Sequence, residues 1–171
     1  QATLLVGVGR AGARVPVLET LCLGWPLTRT GDVPPGTVVT AGLVEEGSSD
    51  PRCASAQVRE GKAYGRKIAV PAVDRAQHMV FVADDGVYAV EVADCSVVIG
   101  PGSNDDPMGM VTLDGAPARK LGGLQLLEPW FARIDVGISA LMLGLASAAL
   151  KMTASYVRER QQFGKPIGAF Q

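Results

Sequence analysis

The residue types richest in chemistry lie at the C-terminal end, in Tyr156-Val157-Arg158-Glu159-Arg160-Gln161-Gln162-Phe163-Gly164-Lys165-Pro166-Ile167-Gly168-Ala169-Phe170-Gln171. A planar guanidinium, two carboxamides and an aromatic ring precede a glycine turn there. That set suits a ligand carrying phosphate and a flat ring, because guanidinium pairs bidentately with phosphate and stacks on π-systems. The same cations also serve a plain structural role, since positive charge near a helix C-terminus stabilises by about 0.3–1 kcal/mol.

A second candidate is Leu43-Val44-Glu45-Glu46-Gly47-Ser48-Ser49-Asp50, a Gly/Ser/Asp loop at the end of a strand. Such a loop presents backbone N–H groups and hydroxyls, with Ser49 as the candidate binding hydroxyl. A plain surface turn accounts for the same residues. A third string, Gly7-Val8-Gly9-Arg10-Ala11-Gly12, has dinucleotide-fingerprint spacing. No βαβ unit follows it, so the expectation is a loop between helices. Cys22, Cys53 and Cys95 are widely spaced and odd in number, which predicts free thiols in a reducing cytoplasm and no metal site. The single histidine, His78, opens a predicted strand.

Three zones must position these groups. In residues 1–35 the apolar positions of 15–27 recur at helical spacing, with Pro16 in the first turn, and Gly31 to Gly36 form a stiff linker. Residues 36–122 read as all-β. Predicted strands are 37–44, 53–59, 63–70, 79–83, 87–92, 95–99 and 110–113, and turns fall at Glu60-Gly61, Asp84-Asp85-Gly86 and Asp114-Gly115. From about Glu128 the period turns helical: Trp130, Ile134, Ile138, Leu141, Leu145, Ala148 and Met152 recur at three- and four-residue steps. A helix over roughly 125–160 is too apolar on several faces to stand alone and belongs in a bundle. The expected architecture is α+β: a small antiparallel β-barrel or sandwich flanked by an N-terminal helix and a long C-terminal bundle helix. The expected domains are 1–35, 36–122 and 123–171.

Composition narrows the function. Hydrophobic residues are 47% and charged residues 19% of 171, enough for a packed core, so a disordered chain is excluded. The net charge of −1 and the 5% aromatic content argue against nucleic-acid binding. The apolar stretch 136–150 is shorter than the roughly 20 residues a membrane span needs. The chain begins at Gln1 inside apolar sequence and stops at Gln171 with no closing element, so a piece of a longer protein is expected.

The C-terminal string closely resembles the signature of the acyl-CoA dehydrogenase family, a long helix ending in Tyr-x-x-x-Arg-x-x-Phe-Gly-x-x-Ile-x-x-x-Gln. The zone order is similar to that family's N-terminal helices, middle β-barrel and C-terminal four-helix bundle. The resemblance implies an FAD-dependent α,β-desaturase of acyl-CoA thioesters in fatty acid or steroid β-oxidation, oligomeric, cytoplasmic, and passing electrons to an electron-transfer flavoprotein. It implies that Arg160, Gln162, Phe163 and Gln171 reach the FAD of a neighbouring subunit, with the Arg160 charge facing the pyrophosphate.

Departures from the family pattern are equally informative. The barrel loop Thr-Glu-Pro-x-Ala-Gly-Ser-Asp stands here as Val44-Glu45-Glu46-Gly47-Ser48-Ser49-Asp50. The flavin-facing Gly-x-Lys-x-Trp-Ile-Thr stands as Gly65-Arg66-Lys67-Ile68-Ala69-Val70-Pro71, with Ala69 in place of the ring-stacking Trp and Pro71 in place of the Thr. Ala132, before Arg133, occupies the position that carries the base in a subset of the family, so no catalytic residue is assigned and the chain alone is expected to be inactive. A degenerate subunit that completes its partner's FAD site, in a tetramer-like homo- or hetero-oligomer, fits this pattern. The alternatives are a divergent homo-oligomeric enzyme, a non-catalytic scaffold, and a flavin monooxygenase on the same fold.

Overall fold

The computed structural model describes residues 1–102 and 106–170. Close packing divides the chain into two units, Val15–Ile134 on one hand and Gln1–Arg14 with Asp135–Gln171 on the other.

The larger unit opens with a broken helix. α2 (Val17–Glu19) runs into a π-turn (Thr20–Gly24) and then α3 (Trp25–Arg29). Pro26 explains the π-turn: it has no N–H to donate, and its ring crowds the carbonyl four residues back, so the coil widens to pass it. The Gly31 to Gly36 segment is packed as well as turned, since Val33 is buried and Asp32 is ion-paired to Arg119.

Among the described residues seven strands make one sheet: β1 (Val39–Gly42), β2 (Gln57–Arg59), β3 (Lys62–Pro71), β4 (His78–Ala83), β5 (Gly86–Glu91), β6 (Ser96–Pro101) and β7 (Pro107–Gly122). Their order is β1-β4-β5-β7-β3-β2, and β6 pairs with β7. Tight turns close β2 on β3 at Glu60-Gly61 and β4 on β5 at Asp84-Asp85, as the turn residues predict. Glu60 and Gly61 both take positive φ (51° and 73°), the geometry of a primed hairpin turn.

Two details of the expected sheet need correction. The sheet is not wholly antiparallel, because β1 lies parallel to β4 with Val39 opposite His78. Nor does it close into a barrel: the seam between β1 and β3 carries a single isolated bridge, Val44 to Ile68, in place of a ladder. Asp114-Gly115, expected as a turn, lies inside the long strand β7. There Gly115 takes φ 79° and is skipped by the pairing, so the chain bulges and continues.

β4 is buried on both faces. Met79, Phe81 and Ala83 enter one apolar cluster with Val70, Val111 and Leu113, whereas Val80 and Val82 enter another with Leu23, Leu27, Leu127 and Trp130. This explains its unbroken apolar run, where a half-exposed strand would alternate.

α4 (Leu127–Glu159) follows a 3-10 turn at Leu124–Leu126 and matches the predicted long helix. Its most apolar stretch has a mean hydropathy of 1.5. By length and composition the helix could cross a bilayer, which the stretch 136–150 alone could not; core helices of bundles meet the same criterion.

In the smaller unit, α1 (Ala2–Ala11) packs on the later turns of α4. Gly7 and Gly9, expected in a loop, are helical, and Gly12 is the left-handed cap that ends α1. Gly9 and Gly144 let the two backbones meet: a Cβ on Gly9 would lie 2.2 Å from the Leu141 carbonyl oxygen, and one on Gly144 would lie 2.2 Å from that of Val6. Val136, Met142, Leu143, Leu150 and Met152 on α4 are exposed. A short hairpin, β8 (Gln161–Gln162) and β9 (Lys165–Pro166), follows the helix.

Candidate functional site

Two clusters carry the candidate residues, one in each unit. In the smaller unit the backbone leaves α4 at Glu159 and folds into the β8–β9 hairpin, tied back by the Arg160 amide donating to the Tyr156 carbonyl (2.9 Å) and the Ile167 amide to the Arg160 carbonyl (2.9 Å). Its two-residue tip is Phe163-Gly164, with φ 50° and 79°. A left-handed backbone is natural for glycine and disfavoured for phenylalanine. The tip nevertheless extends the Phe163 ring, 93% exposed, into solvent. Phe170 meets it edge-on at 6.1 Å, and the Lys165 ammonium lies 4.3 Å from the centre of the Phe170 ring. The Arg160 guanidinium sits over the Tyr156 ring at 5.5 Å and donates to its hydroxyl. Arg160, Gln162 and Phe163 lie together on one exposed hairpin, while Gln171 lies outside the described residues. The hairpin offers positive charge, amide donors and acceptors, and aromatic faces.

The second cluster is built on loop 45–56 and the adjoining part of β3. Glu45 and Ser48 bond to each other through both backbones (3.0 and 3.1 Å), leaving Glu46-Gly47 as a tip. Asp50 accepts from the Arg52 amide at 3.0 Å and caps a 3-10 turn over Pro51–Cys53. Arg52 holds the Asp50 carboxyl below its usual range, first through that amide bond and then through its side chain. Ser49 is exposed between these two fixed points.

Beneath the loop lies a buried ion pair that the sequence motifs did not reveal. Lys67 is fully buried and Glu45 nearly so, and the ammonium donates to the carboxylate and to the Val82 carbonyl (2.6 Å). The same carboxylate accepts from the Ser55 amide (2.7 Å), the Ser55 hydroxyl (2.5 Å) and the Ala56 amide (3.1 Å). Burial alone would raise the Glu45 carboxyl; the hydrogen bonds from Lys67, Ser55 and Ala56 outweigh it and set the pKa at about 2 against an ordinary 4.5. For Lys67 burial acts first and draws the ammonium down, while Glu45 opposes the shift. Gly42 makes room for this lysine, because a Cβ there would lie 2.9 Å from its side chain. A signal did exist in the sequence: Lys67 shares strand parity with the inward-facing Ala63.

Directly after Lys67 the strand bulges. Lys67 pairs with Val111 and Val70 with Gly109, so Ile68 and Ala69 together stand opposite Met110. Ala69 takes φ 50° and lines an open apolar depression of about 290 Å³ with Val98, Ile99, Met108 and Met110. Pro71 has no N–H, and its carbonyl already accepts from the buried Thr40 hydroxyl.

A family model for the acyl-CoA dehydrogenase C-terminal domain matches residues 124–171. The acyl-CoA dehydrogenase FadE28 of Mycobacterium tuberculosis is 34% identical over 98% of this chain and 54% of its own length. FadE27 of the same organism is 29% identical over 100% of this chain and 52% of its own. The chain therefore spans about half the length of the curated relatives it matches. Among solved structures, the Tcur3481–Tcur3483 steroid acyl-CoA dehydrogenase superposes with a TM-score of 0.85 at 30% identity, over 99% of this chain and 52% of that one. The ChsE4–ChsE5 complex from Mycobacterium tuberculosis superposes at 0.83 and 24% identity over the same shares, which speaks to fold alone.

Proposed function

We propose, from the premise that this chain belongs to the acyl-CoA dehydrogenase family, that it completes a neighbouring subunit's FAD site in an enzyme that desaturates acyl-CoA thioesters. One contrast carries this reading. The hairpin holds a 93% exposed Phe163 beside Arg160 and Gln162, whereas the depression at the β3 bulge is lined by aliphatic side chains and the Ala69 methyl with no aromatic ring, and the Pro71 carbonyl is already bonded to Thr40. The chain is thus equipped to give ring and charge contacts outward and poor in ring contacts of its own.

The donor set fits FAD, which when bound takes a hydride from the β-carbon of the acyl group. Arg160 would neutralise pyrophosphate charge, Gln162 would donate and accept, and Phe163 would cover a ring face and exclude water. Ser49 and the N–H groups of its loop are the polar contacts available on the other cluster. Ala132 carries no proton acceptor, so removal of the α-proton falls to a residue elsewhere in the assembly. The similarity to a two-component steroid enzyme makes an unlike subunit, and a steroid-type acyl-CoA, the first partner and substrate class to test. An electron-transfer flavoprotein is the proposed electron acceptor.

The test is the visible spectrum and native mass of the chain, alone and co-expressed with an unlike acyl-CoA dehydrogenase subunit. Flavin is expected in the mixed assembly only, and Arg160→Ala or Phe163→Ala should strip it without lowering the thermal stability of the chain by itself, both side chains being exposed. Flavin retained by the chain alone would overturn the partner role in favour of a homo-oligomeric enzyme. No flavin in either sample would leave a scaffold.

A further inference from the structure

We infer that Glu45 and Lys67 are positioning residues, a clamp that sets loop 46–54, with Ser49, against the bulge at Ile68 and Ala69; the cofactor aspect of this inference rests on the function proposed above. The clamp joins four separate pieces of chain. Glu45 opens the loop, Ser55 and Ala56 close it, Lys67 immediately precedes the bulge, and Val82 belongs to the doubly buried strand β4. One carboxylate therefore holds both ends of the loop, and one ammonium fastens that carboxylate to the sheet interior. The backbone repeats the connection one residue before Glu45 and one after Lys67, where the Ile68 amide donates to the Val44 carbonyl at 2.9 Å.

Stability alone gives little reason for such a pair. Two charges taken out of water recover their desolvation only through well-made hydrogen bonds, and apolar residues of similar volume often serve a core as well. What an ion pair adds is direction. The carboxylate must face Lys67, Ser55 and Ala56 together, which leaves one spacing between loop mouth and strand. The loop's free segment then starts and ends at fixed points, and its internal contacts (the Glu45–Ser48 bridge and the Asp50 cap) carry that placement to Ser49. On the strand side, the left-handed Ala69 lies two residues from the buried ammonium, so its disfavoured backbone is held by the same anchor.

The experiment uses the whole chain and its co-expressed assembly, with Glu45→Ala/Lys67→Met as the main variant. It removes both charges and so leaves no unpaired buried ion. Amide exchange at 46–56 and 68–69 should quicken about tenfold, while the β4 and β5 amides change by less than about twofold. Loop amides that stay unchanged, or that quicken by the same factor as the core, overturn the clamp. Glu45→Gln keeps a carbonyl able to accept from Ser55 or Ala56 but takes the counter-charge from a buried ammonium, so its loop amides should quicken at least as much as in the double variant; it decides the matter if the double variant does not fold. Lys67→Arg keeps the charge and should restore most of the protection. In the assembly, FAD should leave the double variant about tenfold faster, and release at the wild-type rate from an opened loop refutes the cofactor role. If the wild-type assembly takes up no FAD, the proposed function falls, and the amide comparison still decides the clamp.

Discussion

Gly7→Ala and Gly9→Ala make the same chemical change two residues apart in α1, and the structure assigns them opposite signs. Both replace a helix-interior glycine, a change that favours the helix by about 0.5–1 kcal/mol. At Gly7 a Cβ meets nothing within 4 Å, so that gain should appear whole. At Gly9 it would lie 2.2 Å from the Leu141 oxygen and 3.0 Å from the Leu141 carbonyl carbon. Both are backbone atoms, so no rotamer relieves the clash. Carbon contacts settle near about 3.5 Å, so α1 must move away from α4 by roughly 1 Å, and a gap of that size forfeits a quarter to a half of the dispersion energy around it. Overpacking of this kind costs about 1–3 kcal/mol. Set against the helix gain, Gly9→Ala should destabilise by about 1 kcal/mol and stand about 2 kcal/mol below Gly7→Ala. Urea unfolding followed by far-UV circular dichroism reads the difference directly. Equal stability of the two variants would refute the reasoning, because it would mean the backbones do not meet at Gly9.

Further predictions concern the larger unit. Glu45 has a folded pKa of about 2 and an ordinary value of 4.5, so its stabilisation is complete above pH 4.5 and is lost as pH falls towards 2; the total is about 3 kcal/mol, and urea titrations should show that acid-side loss in wild type and not in Glu45→Gln. Phe81→Ala, in a fully buried side chain on β4, should cost about 3–5 kcal/mol, measured by the shift in urea midpoint. Of the three free thiols, Cys53 is exposed, Cys22 is buried with its pKa raised by desolvation, and Cys95 is pushed by burial up to about 11. Iodoacetamide at mildly alkaline pH should therefore label Cys53 first, as peptide mapping would read out.

Much of this architecture was legible in the sequence for local reasons. The hairpins at Glu60-Gly61 and Asp84-Asp85-Gly86 follow from short-range turn chemistry, and α4 follows from a period sustained over many turns. The string bearing Arg160, Gln162 and Phe163 stood out because its residues are neighbours in sequence; the hairpin that presents them was not read from it. Contacts between distant segments were not. The parallel pairing of β1 with β4 leaves no local trace, and Asp114-Gly115 has the composition of a turn whether the chain reverses or bulges. Gly9 was expected in a loop because its G-x-G-x-x-G string lacks the βαβ unit of a dinucleotide site; the reason for the glycine lies on α4, at Leu141. Lys67 was hidden for a similar cause, as a buried lysine makes sense only once Glu45, twenty-two positions earlier, is known to face it.

The parallel alignment of β1 with β4 also sets an order of events during folding. The β2–β3 and β4–β5 hairpins close through two-residue turns, a process of about 1–10 μs. Strand β1 can gain its ladder only once β4 is in place, and the whole of β2 and β3 lies between them in the chain. Pairing across such a separation comes with a loop-closure entropy that local hairpins avoid. Strand β1 should therefore dock after the β4–β5 hairpin has formed, as β3 must to reach β7, where Lys62 pairs with Pro117. Substitutions in β1 such as Val39→Ala should then speed unfolding with little effect on the folding rate, whereas substitutions in the β4–β5 hairpin should slow folding.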